Sequence, residues 1–505
     1  MSAFVTDQFR ILNAGSFVES ISNNSYYAFL GLSNPTSPST GFGRTDNWDT
    51  STTNNPVDNF QYLSHYRDTS LFGKRITTEN ARRVIRKIEW IANNQYEMYR
   101  HDYSNSNQAP LTRALKLYDT NYYVITSDFK VYICIENGTS GSSPTIPRSD
   151  FEPTHIDVEP VSYSDGYKWK YLFKVSPSDI IKFDSTEFII VPNDWATTTN
   201  SDIQIIRDGG NSDNNDNQIR TVYIENGGSN YSDQTHAILG DGTGGEVTLT
   251  TVGGVITDVI ITQGGKGYTY GIIDLSTNSG SGAKLIPIIP PSKGHGYDVY
   301  TELGTDKVLL YARFDDSTKD FPVDTKFAQV GIIKNPESYV GVGQTFTQNT
   351  FSSLFAVGLS SSRTVTIGER IEQDQGSDIV AKGYVASFDS ETKILKYYQD
   401  RSLCFGNKFD QTQSLLTTGI TTFIGDDTKN ITFADSGGAA QINTSLSGSV
   451  ITINSKQINL GVPFTKGLAD PEINKKTGDI IYIDNRPEVQ RNSRQKEDVK
   501  IILEF

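Results

Sequence analysis

The sequence predicts a mainly β protein, organised as a discontinuous β-sandwich framework with two inserted small β modules and few helices. The 505 residues include 26 Tyr, 25 Phe and 43 Gly but only 2 Met. Aromatic and glycine-rich composition of this kind favours sheets joined by tight turns. Short apolar runs alternate with polar turn segments, and a glycine-rich pattern repeats within the chain. Both features favour sheet over helix.

Composition along the chain separates the framework from the insertions. A chain of this length exceeds what one hydrophobic core usually holds. Strand-like segments of similar composition occupy residues 1–200, 290–336 and 470–505, which we expect to form the framework. Residues 201–289 form the glycine-rich, two-repeat β insertion. Residues 337–469 form the second insertion, a small β-barrel or sandwich module.

One segment of the first framework part predicts a helix, "TTENARRVIRKIEWIA". Thr78 can cap it, and Val84, Ile88 and Ile91 fall on one side at a spacing of three to four residues. A basic cluster on this segment is also compatible with a nucleic-acid surface. Because the net charge of the chain is −14, we favour a solvated helix face or an acidic protein partner. The cluster consists of Arg82, Arg83, Arg86 and Lys87.

The strongest strand signal is "YKWKYLF", in which Tyr167, Trp169 and Tyr171 alternate with Lys168 and Lys170. Aromatic side chains on one face of a strand can stack on sugars or on bases. The alternative is a core-facing strand with a charged outer face, and we favour it because antiparallel sheets commonly bury one face.

The glycine-rich insertion contains an internal repeat. "VYIENGGSNYSD" from Val222 recurs as "VIITQGGKGYTY" from Val259, and "DGTGGEVTL" recurs as "SGSGAKLIP". A period of about 37 residues suits one supersecondary unit. Glycines supply positive φ at the turns, and we expect the Tyr to cover the opened backbone. A phosphate cradle is disfavoured because no helix follows these glycines.

Near the C-terminus, "GDIIYIDNRPEV" predicts a strand over 480–483 that stops at the following residues. Pro487 has no N–H to donate, so it fits a sheet edge or corner. Arg486 would reach a carboxylate or backbone carbonyls. The last segment, "EDVKIILEF", alternates like a strand. The simplest arrangement has the C-terminus closing a sheet that begins in the first 200 residues.

Six stretches resemble, in the same order, the family of the baseplate wedge subunit encoded by gene eight in T-even-like contractile-tailed bacteriophages. The resemblance covers a little over half of the chain and leaves both insertions outside it. The six stretches are "VTDQFR" (5–10), "FGRTDNW" (42–48), "DGYKWKYLFKV" (165–175), "FIIVP" (188–192), "GIIKNP" (331–336) and "GDIIYIDNRPEV" with the final "KIILEF".

This resemblance implies a structural virion protein, assembled in the host cytoplasm and located in the tail baseplate. It implies a homodimer in each of six wedges, packed against the subunit that bears the receptor-binding fibres or pins and against elongated wedge core subunits. It implies no enzymatic role and no cofactor. On the matching stretches, the candidate framework or interface residues are Arg44, Trp48, Tyr167, Trp169, Tyr171, Asn485, Arg486 and Pro487.

A search for chemical sites in the sequence predicts no catalytic, cofactor or metal site. The five His residues are scattered, and none has Cys, Asp or Glu at ligand spacing. Cys134 and Cys404 are too far apart to suggest a disulfide framework, which points to folding in a cytosolic compartment. The adjacent pair Asp315 and Asp316 could serve glycan hydrolysis, but neighbouring strand residues face opposite sides.

Two other function classes stay open at this point. A receptor- or carbohydrate-binding tail adhesin would use one of the insertions as its recognition head, and a glycan-cleaving enzyme would need carboxylates converging in a cleft. The acidic balance argues against nucleic acid and anionic membranes as partners. No apolar run reaches the length that crosses a bilayer.

Overall fold

The structure is a computed structural model in which strands account for 44% and helices for 11%, which confirms the mainly β prediction. The candidates Arg44 and Trp48, and also Cys404, lie outside the described residues. The described residues are 5–32, 55–56, 58–141, 143, 145–209, 218–315, 325–377, 379–399, 403, 420–491 and 495–505.

The chain divides into two compact units. Unit 1 comprises Met1–Val18, Arg82–Leu309 and Ile502–Phe505, and unit 2 comprises Glu19–Ala81 and Leu310–Ile501. This division follows backbone contacts and differs from the division by composition, so the boundaries of the framework and the insertions stay predictions. Among the described residues, no helix combines the length and the apolar character needed to span a membrane.

Helices are few and mostly short. Their bounds are α1 (Asp7–Asn23), α2 (Phe60–Thr69), α3 (Pro177–Phe183), α4 (Ser201–Arg207) and α5 (Val299–Glu302). The strands of the first half are β1 (Tyr26–Gly31), β2 (Ser70–Ile76), β3 (Ala81–Arg86), β4 (Tyr123–Ile125), β5 (Lys130–Asn137), β6 (Val161–Ser162), β7 (Tyr167–Lys174), β8 (Phe188–Val191), β9 (Val222–Ser229), β10 (Thr235–Gly240), β11 (Thr243–Val252), β12 (Val255–Lys266), β13 (Gly271–Ile273) and β14 (Ser281–Pro287).

The strands of the second half are β15 (Lys307–Phe314), β16 (Lys326–Lys334), β17 (Thr350–Ser352), β18 (Phe355–Gly358), β19 (Arg370–Gly376), β20 (Ile379–Asp389), β21 (Ile394–Tyr398), β22 (Ile431–Phe433), β23 (Ala439–Ala440), β24 (Gly448–Ile453), β25 (Lys456–Phe464), β26 (Leu468–Ala469), β27 (Asp479–Gln490) and β28 (Glu497–Glu504).

The helix predicted near residue 84 is wrong, because this segment forms a short 3₁₀ turn followed by β3. Val84 and Ile85 are both buried and pair with Ile190 and Ile189 of β8. β-Branched side chains lose rotamer freedom in a helix and pack well on a pleated sheet, and the partner strand supplies the backbone hydrogen bonds.

The basic cluster on β3 is engaged inside unit 1. Arg82 forms a 2.9 Å ion pair with Asp179, and the Arg83 guanidinium lies 3.8 Å from the ring centre of Tyr300. These contacts fix the cationic heads against unit 1 itself. They leave little of the cluster for the nucleic-acid surface that we considered.

Unit 1 contains a four-stranded antiparallel sheet in the order β4-β5-β7-β6. Its strand β7 buries Tyr167 and Trp169, as expected, but Lys170 and Leu172 are buried as well. The expectation of a charged outer face is therefore wrong at this position. The Lys170 ammonium group instead donates to the Val158 carbonyl.

The glycine-rich insertion folds with an internal two-fold pattern. β9 pairs with β14, and β12 of the second repeat pairs in the equivalent register with β11. β10 of one repeat pairs with β13 of the other. The two repeats therefore share one core, to which both contribute buried side chains, including Tyr231 and Tyr268.

Unit 2 contains a five-stranded sheet in the order β17-β2-β1-β16-β27. β1 lies between β2 and β16, and β16 pairs antiparallel with β27. This order agrees with the expectation that the C-terminal part closes a sheet begun early in the chain. A small aromatic core on this sheet includes Tyr27, Phe346 and Phe351.

The rest of unit 2 forms a seven-stranded sheet in the order β23-β22-β19-β20-β21-β18-β26 and a separate hairpin of β24 and β25. Val357, Ile371 and Leu395 lie in the core of the large sheet. Leu460, Val462 and other apolar residues of the hairpin form a second core with the end of the large sheet. These elements come from the predicted second insertion and are all β, as expected.

Candidate functional site

Two of the predicted aromatic residues are part of the core of unit 1. The rings of Tyr167 and Trp169 stack with centres 5.6 Å apart and planes 8° apart, and both side chains are fully buried. The Tyr167 hydroxyl donates to the Pro147 carbonyl over 2.9 Å and accepts from the Tyr96 N–H over 3.0 Å. These contacts hold loops onto the sheet, and buried rings of this kind offer no surface to a sugar.

The third aromatic residue, Tyr171, is half-buried at the surface of the same sheet. Its ring centre lies 5.6 Å from that of Tyr132, which in turn lies 5.2 Å from His155. Burial raises the pKa of the Tyr171 phenol to about 12. This residue is the one member of the predicted aromatic face that retains solvent access.

The C-terminal candidates lie together on β27 in unit 2. The buried Asn485 side chain accepts a 2.9 Å hydrogen bond from Gln329 of β16. Arg486 pairs at 2.5 Å with Asp484 and is largely exposed, so it reaches a carboxylate of its own strand. β27 carries these residues and forms an edge of the five-stranded sheet, next to β16.

The strand does not stop at Pro487, contrary to the sequence prediction. Between the pairs Phe327–Val489 and Gln329–Asn485 the register shifts, and Pro487 lies in the resulting bulge. A bulge on an edge strand needs no ladder donor at this position. The strand therefore passes the proline and continues to Gln490.

A buried histidine–carboxylate pair lies in unit 1, within the "KGHGYD" stretch. The Nδ1 atom of His295 lies 2.5 Å from Glu302 Oε1, and the Gly296 N–H donates to Oε2 over 2.7 Å. The ring of Tyr99 packs edge-on at 4.7 Å. Both members are buried, so the pair fixes α5 to the preceding turn rather than facing a substrate.

A cleft in unit 1 has a volume of about 600 Å³ and charged walls. Lys116 pairs with Asp7 at 3.1 Å, and Lys307 pairs with Asp306 at 2.8 Å and with Glu504 at 3.3 Å. Because these ammonium and carboxylate groups neutralise each other, the cleft concentrates neither sign of charge. It suits a polar protein surface better than a small charged substrate.

Within the described ranges, no three His, Cys, Asp or Glu side chains come together in a way that could hold a metal ion. The Cys134 thiol is buried, and burial raises its pKa well above the ordinary value, which makes it a poor nucleophile. Comparison with protein-family models finds no match, and comparison with curated proteins finds none.

A second cleft, in unit 2, has a volume of about 530 Å³ and was not predicted from the sequence. Val340 lies at its edge and is 87% exposed, and Val342 on the same loop is 94% exposed. The signal for this feature is the run "YVGVG", in which apolar residues alternate with glycines in an otherwise polar turn. Most of the apolar wall of the cleft comes from Phe346, Pro463 and Leu468.

Hydrogen bonds fix the loop that carries these valines. The Ser338 N–H donates to the Gln344 carbonyl over 2.8 Å, and the Gln344 N–H donates to Gly341 over 3.0 Å. The Gly343 N–H donates to the Glu337 carboxylate over 3.1 Å. The loop therefore displays its valines in a defined position.

Proposed function

We propose that this chain is a structural component of a phage tail baseplate wedge, where it links neighbouring subunits and has no enzymatic activity. The proposal is supported by the resemblance of six short stretches and by the strands and helices in which the described stretches lie. Its mechanism is mechanical: large interfaces hold the neighbours, and the β units move as rigid blocks when the baseplate rearranges at the host surface.

One observation carries this proposal. "GIIKNP" and "GDIIYIDNRPEV", two of the resembling stretches, are remote in sequence but are direct register partners in unit 2. Gly331 pairs with Ile483, Ile332 with Tyr482, and Lys334 with Asp479. Resembling stretches that pair with each other support a common framework better than scattered matches do.

The other described stretches also occupy ordered elements. "DGYKWKYLFKV" contains β7, and "FIIVP" contains β8. "VTDQFR" leads into α1, where Asp7 lies in the first turn. The resemblance therefore falls on elements that hold the fold, which supports a role of this chain as a framework.

Buried carboxylates in both units serve loops rather than substrates. In unit 1, the Glu97 carboxylate accepts hydrogen bonds from the N–H groups of Leu111, Thr112 and Asn121, each at 2.9 Å. In unit 2, the Glu369 carboxylate accepts from the backbone near Ser436 at 2.8 Å. Long loops tied down in this way provide rigid surfaces for neighbouring subunits.

The partners follow from the resemblance: a second copy of the chain, the subunit that bears fibres or pins, and the elongated wedge core subunits. Assembly would take place in the host cytoplasm, and the mature location would be the virion tail. We propose protein surfaces as the ligands, and neither nucleic acid nor a membrane.

An insertion tag tests this function. The β11–β12 turn at Gly253 is exposed and has open space around it, so it accepts a short epitope. We expect antibody fragments against the tag to decorate the tail baseplate in six-fold symmetry when particles that carry the tagged chain are imaged by electron microscopy. Label at the capsid, at the neck or at fibre tips would contradict the proposal, and untagged particles serve as the control.

A glycan array probed with the full chain tests the adhesin class. The baseplate proposal expects no selective signal above that of a matched non-binding protein. Selective, saturable binding to one glycan class would replace the structural role with recognition.

A further inference from the structure

The cleft in unit 2 differs from the cleft in unit 1 in the sign of its charges. Its charged lining residues are Asp470 and Glu472, and among the described residues no Lys, Arg or His lines it. The cleft in unit 1 carries ammonium and carboxylate groups that pair with each other. Because the walls of the unit 2 cleft carry charge of one sign, they attract a cation and repel an anion.

Backbone hydrogen bonds fix the walls of the unit 2 cleft. The Tyr339 N–H donates to the Glu472 carbonyl over 3.0 Å, which ties the 338–344 loop to the acidic wall. In the turn that precedes this wall, the Thr465 N–H donates to the Leu468 carbonyl over 2.7 Å. The cleft is therefore formed before any ligand arrives, and binding does not have to order its walls.

The apolar part of the cleft suits the aliphatic stem of a long cationic side chain. Phe346, Pro463 and Leu468 line the cleft together with the two carboxylates. Lys and Arg side chains lay their methylene stems along apolar surface while the charged head meets a polar group. The volume of about 530 Å³ lies in the range of ligand clefts, about 300–1,000 Å³, and is more than a lone ion requires.

The Asp470 carboxylate has acceptor atoms to offer to such a cation. Within the part of the chain that the structure describes, it forms no hydrogen bond and no ion pair. Burial raises the pKa of this carboxyl, and no neighbouring cation counteracts the rise. The titratable groups beside it are the phenols of Tyr339 and Tyr397, whose pKa values burial also raises, so they are uncharged at neutral pH. A partly desolvated carboxylate without a counter-ion is stabilised when a cation approaches.

The Glu472 carboxylate is instead held by the protein itself. Its Oε2 atom accepts a hydrogen bond from the Ser352 N–H over 2.7 Å. Glu472 therefore contributes a fixed negative charge to the cleft, while Asp470 is the residue that can receive hydrogen bonds from a ligand.

A guanidinium group fits this site better than an ammonium group. It is planar, it presents parallel N–H groups to both oxygens of one carboxylate, and it is less strongly hydrated. The cleft is also larger than one arginine needs, and Val340 at its edge is 87% exposed. Apolar residues on either side of the arginine would cover Val340, which favours a protein segment over a small cation.

We propose that this cleft binds an arginine that a partner protein presents beside an apolar residue on an exposed segment. The guanidinium pairs with Asp470, the stem lies on the apolar wall at Leu468, and the apolar neighbour covers Val340. The binding site lies outside the stretches that carry the resemblance and does not depend on the baseplate role.

Peptide binding to the purified full-length chain tests this site. The probe is a fluorescent heptapeptide with one arginine between two leucines. Its matched control carries citrulline, which has nearly the shape of arginine but no charge. Fluorescence anisotropy gives the dissociation constants. We expect saturable binding of the arginine peptide and at least about tenfold weaker binding of the citrulline peptide.

D470N removes the charge that the arginine requires. We expect it to weaken binding of the arginine peptide by at least about tenfold and to bind both peptides about equally. D479N is the matched control, because Asp479 is an exposed carboxylate of unit 2 that does not line the cleft. D479N should bind like the wild type. Equal thermal unfolding of the three proteins establishes that the fold is retained.

The remaining outcomes overturn the site. Absence of saturable binding, or equal affinity of the wild type and D470N for the arginine peptide, excludes Asp470 as the partner of an arginine. Acetylarginine amide that binds as tightly as the peptide assigns the cleft to a small guanidinium compound. Self-association of the wild type that D470N abolishes assigns the cleft to a second copy of the chain. The tag experiment reports separately on the baseplate role in every case.

Discussion

Tyr268 lies against Gly242 in the glycine-rich insertion, with no room for a side chain between them. A Cβ at Gly242 would come within 3.0 Å of the Tyr268 ring. The ring is fully buried, and its hydroxyl donates to the Ile238 carbonyl over 2.8 Å. In the other repeat, Tyr231 stands in the same relation to Gly280. The sequence pattern predicts that these tyrosines cover the opened backbone, and each of them also covers a glycine of the other repeat, which the pattern did not predict.

We expect G242A to destabilise the insertion by about 1–3 kcal/mol, because the methyl group forces apart a ring and a backbone that are both fixed. G280A should cost a similar amount, since the repeats are equivalent. Hydrogen exchange of the β10–β12 amides, together with thermal unfolding of the full chain, measures the loss.

The control for this prediction is a double-mutant cycle. In a Y268L background the space above Gly242 opens, so G242A should cost less there than in the wild type. Equal costs in both backgrounds would show that the methyl group acts on something other than the ring.

Replacement of Trp169 and of Tyr171, two of the aromatic residues on β7, should separate core packing from surface recognition. We expect W169A to lower the free energy of unfolding by about 3–5 kcal/mol, because Trp169 is fully buried. Y171A should cost about 1 kcal/mol, since Tyr171 is half-exposed. Urea unfolding followed by tryptophan fluorescence gives both values. Similar costs for the two variants would contradict the assignment of Trp169 to the core.

The fold class was predictable because composition and turn spacing depend on local chemistry. The position of β27 in the same sheet as β1 could also be predicted from the sequence, since the C-terminal segment has the composition of the early strands. The helix predicted around Val84 failed for a local reason. A spacing of three to four residues between apolar side chains also arises when successive strand residues are buried on both faces, and only the partner strand β8 decides between the two.

Other errors arose from tertiary context. Asn485 and Pro487 mimic a strand end, but a bulge opposite β16 lets the strand continue. Lys170 was assigned to solvent by alternation, yet other parts of unit 1 cover it. The exposure of Val342 was the hardest feature to predict from the sequence, because apolar residues beside glycines are as common in buried turns as in exposed ones.

The ion pair between β15 and β28 in unit 2 predicts a loss of stability in acid. Arg313 Nε lies 2.6 Å from Asp498 Oδ1, Nη2 lies 2.8 Å from Oδ2, and the Tyr311 hydroxyl donates to the same carboxylate. The hydrogen bonds from Arg313 hold the pKa of the Asp498 carboxyl below its ordinary value. The folded state therefore binds this proton less readily than the unfolded state, and the contribution is present above about pH 4.

That contribution disappears as the pH falls through the lowered pKa of Asp498. Because both side chains are more than a third exposed, we expect about 0.5–1 kcal/mol. D498N should show this loss at pH 7, and its difference from the wild type should shrink as the pH falls below about 4. Unfolding by urea across this range provides the measurement, and a constant difference at every pH would contradict an electrostatic origin.

The buried amine of Lys170 predicts a gain of stability as the pH rises through the alkaline range. Lys170 is 4% exposed, and burial lowers the pKa of its ammonium group to about 8. Below pH 8 both states are protonated, and the folded state carries the cost of a buried charge that donates to the Val158 carbonyl. Between about pH 8 and pH 10 the unfolded state holds a proton that the folded state has released, so the free energy of unfolding rises by up to about 1.4 kcal/mol per pH unit.

Above about pH 10 the buried tyrosines reverse this trend. Burial raises the phenol pKa of Tyr99, Tyr122 and Tyr123 above the ordinary value, so the unfolded state ionises first and stability falls. K170M removes the titrating amine but keeps most of its volume. We therefore expect its stability to lack the rise from pH 8 to pH 10 and to retain the later fall. Urea unfolding at each pH gives the unfolding free energy of the wild type and of K170M as a function of pH. If the two curves run parallel from pH 8 to pH 10, Lys170 keeps its proton in the folded protein.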